Sequence, residues 1–220
     1  MQTTGIKPVQ RMKNQKFMRQ AQIMDQERFE KQINFILEAD KEKSILRQTH
    51  LSGHGRRETD AEHAWHMALM IYLLKEYSND EIDVEKAMMM ALIHDIVEID
   101  AGDTYAYDVE GLKTQEEREK RAAERIFGLL PDDQKDKLKG LFEEFEAYET
   151  PEARFVHAID NFQPLLLNNS NDGGDWKEHS ITKSQVMQRQ SKTELGSKEI
   201  WKCTEKIIEE NISRGNIENK

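Results

Sequence analysis

The stretch Ala87-Met88-Met89-Met90-Ala91-Leu92-Ile93-His94-Asp95-Ile96-Val97 is apolar except for one adjacent histidine and aspartate. Alanine, leucine and methionine are strong helix formers, and the run contains neither glycine nor proline. It reads as the buried middle of a helix over about Val84–Ile99, closed by Ala101-Gly102. A buried polar group without a partner costs roughly 1–3 kcal/mol, and a charge more. His94 and Asp95 therefore need a partner, and a bound cation would supply one. Glu98 lies four residues from His94 and three from Asp95, so on one helix all three converge on one face.

Working outward, long segments rich in Glu, Lys, Gln, Met, Leu and Ala surround this run, prolines number only four, and alternating strand-type runs are missing. The expected fold class is all-α. Met24, Phe29, Ile33, Ile36 and Leu37 recur at helical spacing, whereas residues 1–22 have little to bury. The chain thus divides into a flexible or loosely docked tail over 1–22 and one domain over 23–215. A polar, glycine-containing loop spans Leu51–Arg57. Thr59 and Glu62 then form a capping-box pair for a helix over about Asp60–Tyr77, apolar round most of its circumference and expected in the core. A loop carrying Asp103, Tyr105 and Tyr107 follows the His94 helix. Further helices are expected over about Thr114–Leu129, Pro131–Tyr148 and from Pro151, where Thr150 suits an N-cap. Asn168–Asp175 reads as loop, and two helical segments, about Thr182–Ser191 and Gly196–Ile212, complete the chain.

At 220 residues with net charge −10 and charged residues reaching 34%, acidic and basic side chains are interspersed, with no basic block. That disfavours a nucleic-acid polymer or an anionic membrane as partner and leaves room for a small anionic substrate met by local cations. Cys203 is alone, which excludes an internal disulfide framework and fits a reducing cytoplasm. The first twenty residues lack the apolar segment of a signal peptide.

Two further polar residues fall in apolar helical segments. His63 shares a face with Met67, Met70 and Leu74, and Asp160 lies among Val156, Ile159 and Phe162. Taken singly, each reads as a hydrogen-bonded core residue. As a set, His63, His94, Asp95 and Asp160 offer two imidazoles and two carboxylates from three helices. That donor mixture suits one divalent Mn, Fe, Co, Ni or Zn ion better than Mg or Ca.

The order His63, His94-Asp95, Asp160, with the words Glu58-Thr59-Asp60-Ala61-Glu62-His63 and His94-Asp95-Ile96-Val97-Glu98-Ile99-Asp100-Ala101-Gly102-Asp103, resembles the HD-domain metal-dependent phosphohydrolases. Within them it is similar to the branch of bacterial 5′-deoxynucleotidases and their eukaryotic relatives, over about Ile33–Leu167. The resemblance implies a single helical HD-domain bundle, here with additional C-terminal helices, and hydrolysis of a phosphate ester, commonly a nucleoside monophosphate. It implies that His63, His94, Asp95 and Asp160 hold one divalent metal, that Glu98 and Asp103 stand beside the attacking water and substrate, and that a homodimer forms. It also implies a basic residue on the phosphate before the second helix, a role that Arg47 matches best. Gln48 stands where the bacterial enzymes carry a bulky aromatic near the sugar, which leaves ribose or deoxyribose preference open.

On this reading Glu98 orients or deprotonates water, Asp103 bonds the nucleophile or leaving group, and Arg47 holds the phosphate. Arg56 and Arg57 are alternatives to Arg47 for the phosphate, although loop arginines are more often merely solvated. The competing readings are a non-catalytic metal- and nucleotide-binding sensor, and a hydrolase of nucleoside triphosphates, cyclic dinucleotides or guanosine pentaphosphates. His50, His54 and His179 are expected to be exposed, His66 and His157 to pack near the ligands, Met88–Met90 to fill core, and Trp176 to anchor its loop.

Overall fold

A computed structural model describes the backbone of residues 8–105 and 109–220, with side chains from 23 to 105 and from 110 to 220. Tyr107 lies outside the described residues, as do the side chains of 8–22. Helix α1 (Pro8–Ala39) is followed by a tight helical turn (Asp40–Ser44), strands β1 (Leu46–His50) and β2 (Arg57–Thr59), and α2 (Asp60–Leu74). Then come α3 (Val84–Ile93), the one-turn α4 (Glu98–Ala101), α5 (Val109–Phe127), α6 (Asp132–Ala147) and α7 (Pro151–Ser170). The chain ends with α8 (Gly174–Glu178), α9 (Lys183–Gln190), α10 (Thr193–Gly196) and α11 (Lys198–Ser213). Among the described residues no helix is long and apolar enough to cross a membrane.

The all-α reading holds apart from one antiparallel hairpin, β1–β2, which pairs Leu46 with Thr59 and His50 with Arg57. Its strands are short and mostly polar, so they carry no apolar alternation. The expected loop lies between them. Thr59 caps α2 as foreseen, accepting from Glu62 N while Glu62 Oε2 accepts from Thr59 N, and Thr150 caps α7 with Pro151 in its first turn.

Four expectations need correction. The helix over Val84–Ile99 breaks at His94, where Glu98 N donates to Asp95 O at 2.8 Å and Ile96 N to Ile93 O at 3.3 Å, bonds one residue shorter than helical ones. The tightening buries both β-branched neighbours, Ile96 and Val97, against α5 and α6. Second, α2 is not buried all round, since Trp65, Leu69, Tyr72 and Leu73 form an exposed stripe. Third, α1 begins earlier than the apolar spacing indicated, and its Met24, Phe29, Ile36 and Leu37 are exposed. Its contact with the bundle runs instead through Phe35, stacked on Phe127, and through Arg28, paired with Asp133 at 2.6 Å. Fourth, the expected loop over Asn168–Asp175 is partly helical at both ends.

Two apolar clusters frame the site. The larger joins Met67, Ile71, Met90, Phe155, Ile159, Val186 and Ile208 from α2, α3, α7, α9 and α11. The smaller joins Ile93, Ile96, Val97, Ile126, Phe127 and Phe142. The turn at His94 lies where the two meet. Met90 is core and Met88 packs against it, whereas Met89 is exposed.

Candidate metal centre and active-site cleft

Helix α2, the turn that ends α3 and helix α7 carry His63, His94 and Asp160 to one point, with Asp95 beside them. One ligand atom from each of His63, His94 and Asp160 lies within 4.8 Å of the others. His63 Nε2 is 3.1 Å from Asp160 Oδ1 and 3.9 Å from Asp95 Oδ2. His94 Nε2 is 3.1 Å from Asp95 Oδ1 and 4.0 Å from Asp160 Oδ1. Donor atoms about 2.0–2.2 Å from a shared ion lie ~3–4.4 Å apart, so these separations suit one ion.

The hydrogen bonds behind the imidazoles make the stronger case. His94 Nδ1 is 2.9 Å from the carbonyl of Ala91, an acceptor, so Nδ1 carries the hydrogen and Nε2 presents a lone pair. That buried Nε2 has no hydrogen-bond partner, although a carboxylate stands beside it. His63 Nδ1 is 3.0 Å from Gln163 Oε1, and Gln163 Nε2 donates to Glu58 Oε1 at 2.7 Å and approaches His66 Nδ1 at 3.1 Å. This chain fixes the Gln163 amide so that its oxygen takes the His63 hydrogen, which turns the Nε2 lone pair toward Asp160. Lone pair facing carboxylate is repulsive unless a cation lies between them. The residues therefore fit a divalent ion.

Electrostatics point the same way. Burial, aided by the nearby Arg47 charge, pushes His63 down to about 4, so it is neutral at physiological pH. For His94 burial acts downward, but Asp95 and Asp160 outweigh it and raise the group to about 9. Proton and metal are alternatives at its Nε2. Against its own burial, Asp160 is held well below the usual carboxylate range by Arg189 and the two histidines.

Arg47, on β1, donates through Nη1 to Asp95 Oδ2 at 2.7 Å and lies 3.4 Å from Asp60 Oδ1 and, through Nε, 3.9 Å from Glu58 Oε2. Asp60, Asp95 and Glu98 form a second carboxylate group, with Arg47 as the cation against it. Burial, then Asp95 and Asp60, pushes Glu98 up to about 12, and its Oε2 is buried without a partner. Burial also raises Asp103. Gly102 ends α4 at φ 75°, a left-handed conformation that turns the chain toward Asp103. Arg118 anchors that loop on the carbonyl of Ala101 and, at 2.8 Å, on Thr104 Oγ1.

Arg47, Gln48, His94, Asp95, Glu98, Asp103 and Asp160 all line one cleft of about 1110 Å³, with His63 buried behind it. Every site residue expected from the sequence is at or against this cleft. Arg56 pairs with Glu62 at 2.5 Å on the surface, as a solvated residue should. His54 is exposed, but His50 is half-buried with Nδ1 2.6 Å from Asp175 Oδ1, tying the hairpin to α8. His179 is likewise only half-exposed, its ring 5.0 Å from that of Tyr105. His157 stacks on Phe145, and Trp176 is buried in the main core. Sequence reasoning missed Gln163, Arg118 and Arg189. The first two act through other residues, and Arg189 lies in a polar stretch without a motif.

The HD-domain family matches residues 39–201. The 5′-deoxynucleotidase HDDC2 of Homo sapiens is 32% identical over 111 residues, covering 50% of this chain and 53% of that protein. The 5′-deoxynucleotidase hdd1 of Schizosaccharomyces pombe is 29% identical over 112 residues, 49% of this chain and 55% of its own length. The chain thus spans about half the length of the curated relatives it matches. A crystal structure of a predicted metal-dependent phosphohydrolase from Magnetospirillum magnetotacticum MS-1 is 46% identical with a TM-score of 0.83, covering 86% of this chain and 95% of that one. A conserved hypothetical protein from Pyrococcus furiosus is 27% identical with a TM-score of 0.53, over 81% and 98% of the two chains. With the family match extending from the end of α1 into α11, across every residue of the metal centre, the chain belongs to the HD-domain family.

Proposed function

We propose that the protein is a metal-dependent phosphohydrolase that releases phosphate from nucleoside or deoxynucleoside 5′-monophosphates. The observation that carries this is the pair of imidazoles whose Nδ1 hydrogens are tied back, leaving two Nε2 lone pairs against Asp95 and Asp160 in the wall of a cleft that also holds Arg47, Glu98 and Asp103. The names of the relatives support the substrate class. His63, His94, Asp95 and Asp160 would hold one divalent ion, whose chemistry is to lower the pKa of water from 15.7 toward about 7–9 and to offset phosphoryl charge.

The chain's own residues do the rest. Arg47 binds phosphoryl oxygens as a fork. Burial and the Asp95 and Asp60 charges keep Glu98 protonated until a divalent ion in the site offsets those charges; once ionised, Glu98 orients the attacking water and accepts its proton as the water oxygen bonds to phosphorus. Asp103 hydrogen-bonds the nucleophile or the departing ester oxygen as the P–O bond breaks. Gln48 lies in the cleft lining near this reaction zone. In a phosphate-release screen over ribo- and deoxyribonucleotides with Mn, Co or Ni, the wild type should turn over monophosphates. Asp95→Ala should lose both bound metal and turnover, and undiminished activity in that variant would overturn the assignment.

We infer further that the chain forms one domain over 23–215 with 1–22 as an appendage, works in the cytoplasm, where the exposed thiol of Cys203 would stay reduced, and pairs with a second copy. Exposed apolar side chains on two packed helices, Trp65, Leu69, Tyr72 and Leu73 on α2 and Met89 and Leu92 on α3, support self-association.

A further inference from the structure

Arg189 sits on α9 beside the metal centre. Its Nη2 donates to Asp160 Oδ2 at 2.9 Å, while Asp160 Oδ1 faces His63 Nε2 and His94 Nε2 at 3.1 and 4.0 Å. Asp95 is divided in a similar way, with Oδ1 3.1 Å from His94 Nε2 and Oδ2 taking Arg47 Nη1 at 2.7 Å. Asp160 therefore turns one oxygen to both imidazoles and has the other held by Arg189, while Asp95 turns Oδ1 to His94 and its arginine-held Oδ2 also lies 3.9 Å from His63 Nε2. Both arginines and both aspartates line the same cleft.

The segment around Arg189 is built to keep it there. A capping box between Thr182 and Gln185 starts α9, and Val186 is buried in the main core. Next to Arg189, Gln190 Nε2 donates to the carbonyl of Asn161 at 2.8 Å, and Thr193 Oγ1 donates to Gln190 Oε1 at 2.9 Å. The side chain nevertheless remains 38% exposed. Its hydrogen bond to Asp160 uses one of the donors of a guanidinium that has five.

Charge explains why a second arginine is needed. A phosphate monoester brings up to two negative charges to a wall that already holds the arginine-paired carboxylates of Asp95 and Asp160. Among the lysines lining the cleft, Lys139 is held by Glu124 and Glu143 at 2.9 and 2.8 Å, Lys192 lies over the Tyr148 ring, and Lys120 is exposed. Arg47 and Arg189 are the cleft-lining cations that pair with the carboxylates facing the imidazoles, one on Asp95 and the other on Asp160.

We propose that Arg189 and Arg47 together form a two-arginine subsite for a phosphate dianion, free or as the phosphoryl group of an ester. The proposal rests on the phosphohydrolase reading above. Arg47 reaches the phosphate from its bond to Asp95 and Arg189 from its bond to Asp160, and a cation held by the ligand set would loosen the Asp160 carboxylate's hold on the guanidinium. A planar fork matches phosphoryl oxygens in a way that an ammonium does not, so lysine is a partial substitute.

The test is calorimetric titration of inorganic phosphate into the full-length, Mn-loaded protein as wild type, Arg189→Ala and Arg189→Lys, with bound metal measured in each. Metal content should match in all three. The phosphate Kd should rise about tenfold to a hundredfold in Arg189→Ala and less in Arg189→Lys. Unchanged phosphate affinity in Arg189→Ala overturns the proposal. So does affinity that returns to the wild-type value once extra metal saturates the variant, since Arg189 would then act only by orienting Asp160. Free phosphate binds without turnover, so a wild type that binds phosphate yet hydrolyses no ester fails the hydrolase reading and leaves the arginine comparison intact.

Discussion

At the scale of single residues, the site is a set of polar side chains in apolar surroundings, each imidazole held by a hydrogen bond at its Nδ1. His94 and Asp95 stand out inside an apolar run, and His63 and Asp160, each a polar residue in an apolar helical segment, join them as one donor set whose order resembles the HD signature. Gln163 was illegible because its importance lies in an amide orientation set by Glu58 and His66, across about a hundred residues of chain. If that amide fixes the His63 tautomer, its loss must weaken the metal without touching a ligand. Gln163→Leu should retain the fold and bind Mn or Co about tenfold to a hundredfold more weakly, the usual cost of losing an outer hydrogen bond to a ligand histidine. Competition against a fluorescent chelator would read this directly, and equal affinities would show that His63 needs no orienting partner.

At the scale of elements, most helices were visible through caps and periodicity, and the failures share a cause. The β1–β2 hairpin is too short and too polar to show alternation, and the break at His94 is made by local hydrogen bonding that apolar spacing cannot register. The cap of α2 was visible because its two partners are three residues apart. It also matters to the site, since Thr59 closes the hairpin carrying Arg47 and opens the helix carrying His63. Thr59→Ala should cost about 1 kcal/mol of stability through the lost cap. Urea unfolding would show a lower midpoint at unchanged slope. A variant as stable as the wild type would mean that the hairpin pairing alone fixes the start of α2.

At the scale of the whole molecule, the metal centre is where α2, α3 and α7 meet, so occupancy should act on global stability. With free metal at about 100 times its Kd, binding to the folded state alone contributes ~2.7 kcal/mol. Chelation should therefore lower Tm, and restoring Mn should recover it; a Tm indifferent to chelator would argue against a site formed by the folded chain. The same scale explains the error about α2. Its apolar circumference reads as burial within one chain, yet Trp65, Leu69, Tyr72 and Leu73 are exposed, as are Met89 and Leu92 on the α3 that packs against it. Sequence periodicity reports which side chains avoid water, and it cannot report whether their cover comes from the same chain or from another. If a second copy covers this face, sedimentation of the wild type should give a dimer. The double variant Trp65→Glu, Leu69→Lys should shift it to monomer while keeping its helical content, because both side chains are solvent-facing in the single chain and neither supports the core. A wild type that sediments as a monomer at all concentrations, or a variant that stays dimeric, would move the contact away from this stripe.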